Sequence, residues 1–110
     1  MRCMTPETLK GHLDLLLLAA VQAGPAHGYA IAETLRLRSG GTFDLAEGTL
    51  YPALHRLERG GLLSSRWSEV SSRRRRVYQL TRKGQQALAK RHGEWHDFAR
   101  AVHAVVGGSA

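Results

Sequence analysis

Between Leu9 and Val21 the apolar residues recur at intervals of three and four, at Leu9, Leu13, Leu16, Leu17, Ala20 and Val21. That spacing predicts a helix with one packed face. Leu15 and Leu18 fall off the stripe, so this helix is apolar on more than one side. It therefore calls for a second packing partner, either another internal element or another subunit. Thr5 reads as its cap, with Pro6 in the tolerated first position and Glu7 in the first turn. Ala23-Gly24-Pro25 stops it. A second helix opens around His27 and Gly28 and runs to about Arg38, with Tyr29, Ile31, Ala32 and Leu35 inward and Arg36 and Arg38 outward. Ser39-Gly40-Gly41 then breaks the chain.

The clearest amphipathic pattern lies between Gly48 and Arg59. Leu50, Ala53, Leu54 and Leu57 form one apolar stripe, with Pro52, His55, Arg56 and Arg59 opposite. Asp44-Leu-Ala-Glu47 reads as a capping box at the start of this third helix. Pro52 removes one backbone hydrogen bond, so either the helix begins near Thr49 or it carries a defect there, and the earlier start with a defect is preferred. From Ala46 to Arg59 the helix is a rod about 21 Å long, a shape that fits the roughly 12 Å wide major groove of DNA. Gly60-Gly61 ends it.

Leu62–Trp67 and Arg73–Leu80 have strand length and composition, and Ser68–Ser72 reads as a five-residue hairpin loop. Two short strands do not stand alone, so the hairpin leans on the helices. Thr81 caps a last helix that continues to about Val106. There Leu88, Arg91, Trp95, Phe98, Val102 and Val105 follow a heptad-like spacing. Packing of that seam against the over-apolar first helix of a second subunit satisfies both surfaces, with packing inside one chain as the competing arrangement. The expectation is a homodimer joined through Leu13, Leu16, Leu17, Leu88, Trp95, Phe98 and Val102.

Charge sharpens this picture. Sixteen Lys and Arg against nine Asp and Glu give a net charge of +7 over 110 residues. An excess of that size in a small domain points to a polyanionic partner, nucleic acid before an anionic membrane surface. The run Arg73-Arg74-Arg75-Arg76 sits at the loop end of the second strand. Alternation along a strand sends two of its members to each face, leaving guanidinium groups free for phosphate oxygens. Three helices, a hairpin and a basic run in that hairpin define a winged helix-turn-helix. The fold class is mainly α with a small β-hairpin: residues 1–80 form the DNA-binding domain and residues 81–110 a C-terminal dimerisation helix of the same structural unit.

At this level the chain resembles the PadR family of transcriptional regulators. The residues that carry the resemblance are Leu13–Leu18, Gly24-Pro-Ala-His-Gly-Tyr-Ala-Ile31, Gly48–Glu58, Gly61-Leu-Leu63, Trp67 and Arg74–Thr81. It implies a winged-helix dimer that represses transcription from an inverted-repeat operator, of the compact kind with a single C-terminal dimerisation helix. It also implies DNA contacts at Tyr29, Thr49, Tyr51, Pro52, His55 and Arg56, and at Arg73, Arg74, Arg75 and Arg76 on the wing. His55 and Arg56 are the candidates for base edges, since arginine binds guanine bidentately. Compact multidrug-sensing members carry a tryptophan at the dimer interface that stacks on flat cations, which makes Trp95 and Phe98 the candidate effector contacts. The competing functional class is a ligand-sensing or protein-interaction module that keeps the fold without operator binding.

Other chemistries find little support. His92, His96 and His103 lie on one side of the last helix, and a His pair at i, i+4 can bind zinc. Without a cysteine or carboxylate at ligand spacing, no metal and no cofactor is assigned. Phosphate loops, a serine elbow and paired carboxylates are not in the sequence, so no catalytic residue is named and an enzyme is not expected. Cys3 is the only cysteine, which fits a reducing compartment. The longest apolar run, Leu15–Val21, falls far short of the ~20 residues that span a bilayer. A signal peptide is a poor reading of it, with Glu7 and Asp14 ahead and no cleavage site behind. A cytoplasmic protein without membrane attachment is expected.

Overall fold

In the computed structural model, Leu9, residues 11–70 and residues 72–107 are described. The predicted cap at Thr5, with Pro6 and Glu7, lies outside the described residues. The elements run α1 (Leu13–Ala20), β1 (Ala26–His27), α2 (Gly28–Arg38), α3 (Glu47–Arg59), β2 (Leu63–Val70), β3 (Arg73–Leu80) and α4 (Arg82–Val106). The three strands form one antiparallel sheet in the order β1-β3-β2.

The core is where the apolar stripes meet. Leu13, Leu17 and Leu18 of α1, Ile31 and Leu35 of α2, and Leu50, Ala53, Leu54 and Leu57 of α3 are all buried. Leu63 and Tyr78 close it from the sheet, and Leu88 from the start of α4. Burying each of the three α3 leucines contributes roughly 1.5–3 kcal/mol, and this fixes which side of α3 is left outward. Leu13, Leu17 and Leu88 were expected at a subunit interface. They are instead used up inside this chain, with Leu17 at 0% exposure. Leu16, off the most buried line, remains only partly covered.

Three local expectations need correction. Helix α3 begins at Glu47 with Ala46 as its cap residue and no side-chain cap bond, so Asp44 is not a cap. The reason is that Phe43 and Leu45 both pack against the core in an extended segment, held where the Phe43 N–H donates to Ser39 Oγ at 2.8 Å. Pro52 does lie inside the helix. Next, Tyr29 points outward at 69% exposure, because Gly28, Ile31 and Leu35 supply the inner face of α2. Finally, β2 continues to Val70, which pairs with Arg73, leaving only residues 71 and 72 between the strands rather than a five-residue loop. Ser72 takes the left-handed conformation, with φ 65°.

The end of α3 is tied to the start of α4. The N–H groups of Gly61 and Leu62 donate to the carbonyls of Glu58 and Leu57, at 3.0 and 2.9 Å, the pairing of a Schellman close. Thr81 caps α4 by accepting from Gly84 N–H at 2.9 Å, while its own hydroxyl donates to Gly61 O at 2.6 Å. Lys83 Nζ donates to Gly60 O at 3.0 Å, placing a cation on the carbonyl end of α3. Farther along α4, Trp95, Phe98, Val102 and Val105 are 45%, 62%, 39% and 86% exposed. The molecule is elongated, 54 × 32 × 22 Å.

Candidate nucleic-acid interface

The buried stripe of α3 leaves Gly48, Pro52, His55 and Arg59 on its outer edge, all exposed. Thr49 and Arg56 stand on one flank and Tyr51 and Glu58 on the other, following the helical period. Pro52 lacks an N–H and so adds no donor of its own to this edge. The edge is narrow and carries few polar side chains. That favours close approach to a groove.

Arg56 is not free. Its Nη2 is ion-paired with Asp14 Oδ1 of α1, and Arg91 Nη2 of α4 lies 3.9 Å from the other oxygen of the same carboxylate. The guanidinium expected to read a base therefore lies along the flank of α3, toward α1. Arg59, one turn further on and aligned with Pro52 and His55, is the outward arginine. Its outward direction is legible in the helical period, yet it was not among the expected contacts. Tyr51 packs over the start of α2. A Cβ built on Gly28 would stand 2.6 Å from Tyr51 Cε1 and 2.7 Å from its hydroxyl oxygen, so any side chain there would displace the Tyr51 ring. The Tyr51 and His55 rings are 6.5 Å apart, at 43°.

On the wing the four arginines divide by strand alternation, as expected, but unequally in freedom. Arg74 and Arg76 share a face with Trp67, their guanidinium carbons 4.6 and 5.2 Å from its ring centroid. Arg76 is further held where its Nε donates to Ser65 Oγ at 2.8 Å and its Nη2 lies 3.7 Å from Glu58 Oε2. Ser65 Oγ in turn donates to Glu58 Oε2 at 2.6 Å. Glu58 thus docks the wing onto α3. Arg73, Arg74 and Arg75 remain exposed.

His27 links the wing to α2. Its Nδ1 accepts from the Ala30 N–H at 3.2 Å and so caps the helix, while Nε2 lies 2.8 Å from Arg75 Nη1. Burial, and then the Arg75 charge, hold its pKa below the usual histidine value of 6.5. His27 was not expected as a site residue, since histidine is not among the residue types that signal a helix cap. Tyr29 stacks on its ring, centroids 6.4 Å apart, and its hydroxyl donates to Glu33 Oε2 at 3.4 Å.

A largely apolar cavity of about 930 Å³ lies between α1 and α4, lined by Leu15, Leu16, Phe43, Leu88, His92 and Trp95 among others. Phe98 lines a smaller neighbouring hollow with Leu15 and Trp95. Among the described residues no three His, Cys, Asp or Glu side chains gather to hold a metal ion, and no helix is long and apolar enough to cross a membrane.

The model of the PadR-like transcriptional regulator family matches residues 17–90. The chain belongs to this family. A transcriptional regulator from Clostridium thermocellum has the same fold at a TM-score of 0.83, with 26% identity over 92% of this chain and 96% of that one. A PadR-family regulator from Eggerthella lenta superposes at 0.80, with 32% identity over 91% and 86% of the two chains. The transcriptional regulator Rv3488 of Mycobacterium tuberculosis is 45% identical over 60 residues, 54% of this chain and 56% of that protein. These relatives are regulators of transcription, not enzymes, and the PadR-like fold here is a winged helix: helices with a small three-stranded antiparallel sheet.

Proposed function

We propose that this PadR-family chain is a repressor that binds an inverted-repeat operator as a homodimer. The observation that carries the reading is the bare outer edge of α3, Gly48, Pro52, His55 and Arg59, flanked by the exposed Arg73, Arg74 and Arg75 of the wing. The α3 edge enters the major groove, and the wing arginines meet phosphate oxygens on either side, which supplies affinity and salt dependence but no sequence information. His55 and Arg59 are assigned to base edges. Arg56, held by Asp14, is assigned a flanking role with Thr49, and Tyr29, Tyr51 and Pro52 line the approach to the backbone.

The seam Trp95, Phe98 and Val102 on α4, with Leu16 of α1, is assigned to the contact between two copies. Its exposure in a single chain supports this, since apolar surface of this extent is seldom left to water. A flat or cationic effector is assigned to the 930 Å³ cavity that Trp95 lines, with Glu94 and Asp97 on the same helix.

Selection of bound sites from random duplexes at two salt concentrations tests the reading. A palindromic site whose affinity falls steeply with salt is expected. Enrichment of no sequence would favour a sensor or protein-interaction module instead.

A further inference from the structure

The imidazole of His27 stands between two hydrogen-bond donors. On one side is the Ala30 backbone N–H, 3.2 Å from Nδ1, and on the other is Arg75 Nη1, 2.8 Å from Nε2. A neutral imidazole offers one acceptor nitrogen and one N–H, and a guanidinium only donates. In the tautomer that caps α2, the Nε2–H meets a guanidinium N–H head on. In the other tautomer Arg75 is satisfied, but an Nδ1–H then faces the Ala30 N–H and the cap is lost. Protonation makes both nitrogens donors and sets a second positive charge beside Arg75. No state of the ring satisfies both neighbours.

An anionic acceptor lodged beside the ring resolves the conflict. Nε2–H and the Arg75 guanidinium both donate to it, while Nδ1 keeps the cap. Room for such a group exists: His27, Gly28, Tyr29, Tyr51 and the wing arginines line a cavity of about 490 Å³. The groups facing the ring there are Arg75 and its neighbours on β3, Tyr29 on α2 and Tyr51 on α3. All are cations or phenols. The capped end of the eleven-residue α2 adds the positive end of its dipole.

We propose that this cavity is the seat of a single DNA backbone phosphate, gripped between His27 Nε2–H and Arg75. The proposal rests on the DNA-binding reading above and deepens it. A backbone phosphate is favoured over a free one because the walls come from α2, α3 and β3, the three elements that reading lays along the duplex. His27 thereby has two separable jobs, capping α2 through one nitrogen and holding phosphate through the other.

His27→Asn separates them, because asparagine is a preferred cap but too short to reach the position of Nε2. The test measures unfolding and binding to a selected operator for the wild type, His27→Asn and Arg75→Gln. Each backbone phosphate of the duplex is replaced in turn by a neutral methylphosphonate. The expected result is unfolding of His27→Asn at no lower temperature than the wild type, with roughly tenfold weaker operator binding. One phosphate per half-site should weaken the wild type when neutralised, yet cost neither variant anything further. Wild-type affinity in both variants, or undiminished sensitivity at that phosphate, would overturn the seat while leaving DNA binding intact. If inorganic phosphate shifts the His27 ring resonances without DNA, and His27→Asn keeps full operator affinity, the seat belongs to a free anion and the assignment fails. A wild type that binds no duplex at all overturns the DNA-binding reading itself.

Discussion

Arg56 and Arg59 are one helical turn apart but differ in their surroundings. Arg56 is occupied by Asp14, whereas Arg59 stands on the outer edge of α3. Arg59→Ala should therefore cost about 1–3 kcal/mol on the selected operator and relax preference at one base pair. Arg56→Ala should cost less and affect specific and random duplexes alike. Fluorescence anisotropy on both duplexes checks this, and a selective loss for Arg56→Ala would reverse the assignment. His27 gives a pH prediction. Its folded pKa lies below 6.5, so the unfolded chain takes up the proton first as pH falls. Its contribution to stability is full above that value and is lost as pH drops below it. Urea unfolding at pH 7.5 and at about pH 5.5 should show a decline that is smaller in His27→Asn. These assignments were only half legible in the sequence. Helical periodicity gave the outward direction of Arg59, but the partner of Arg56 lies on α1, far away in the chain, and no local pattern reports such a pair. Tyr29 misled for the opposite reason, since an aromatic near a helix start was read as core when Gly28 takes the inner position.

At the scale of elements, the stripes of α1, α2 and α3 were readable because each is carried by leucine and isoleucine at helical spacing. The boundaries that failed are those decided by something other than an apolar repeat. Strand β2 looked finished at Trp67 because no alternation continues through Ser68 and Glu69. Its extension is carried by backbone pairing with β3, where Ser68, Glu69 and Val70 stand opposite Arg75, Arg74 and Arg73. The start of α3 ahead of Pro52 held, but the Asp44 cap failed because Phe43 and Leu45 pack against the core, which overrides a good capping sequence. The α4 seam was legible in period but not in partner: Leu88 is spent on the chain's own core, while Trp95, Phe98 and Val102 stay open. Phe98→Asp should therefore leave the fold of the chain intact by circular dichroism and give monomers by light scattering. A variant that stays dimeric would place the subunit contact elsewhere.

The whole molecule combines a compact body with a projecting helix, and that shape sets what specificity can rest on. The outer edge of α3 offers few base-reading side chains, with glycine and proline at two of its four outward positions. One body on one half-site therefore discriminates weakly. In the proposed dimer, two bodies joined through α4 would add a geometric condition, because their α3 edges would have to reach successive major grooves together. The net charge of +7 favours any duplex alike, so in the proposed dimer spacing would carry much of the discrimination. The most direct test is affinity measured on duplexes that differ only in the separation of two half-sites. A maximum is expected at a centre-to-centre distance of about one helical turn, roughly 34 Å, with a steep fall when half a turn is inserted. Affinity that is indifferent to spacing, or equal on a single half-site, would contradict it.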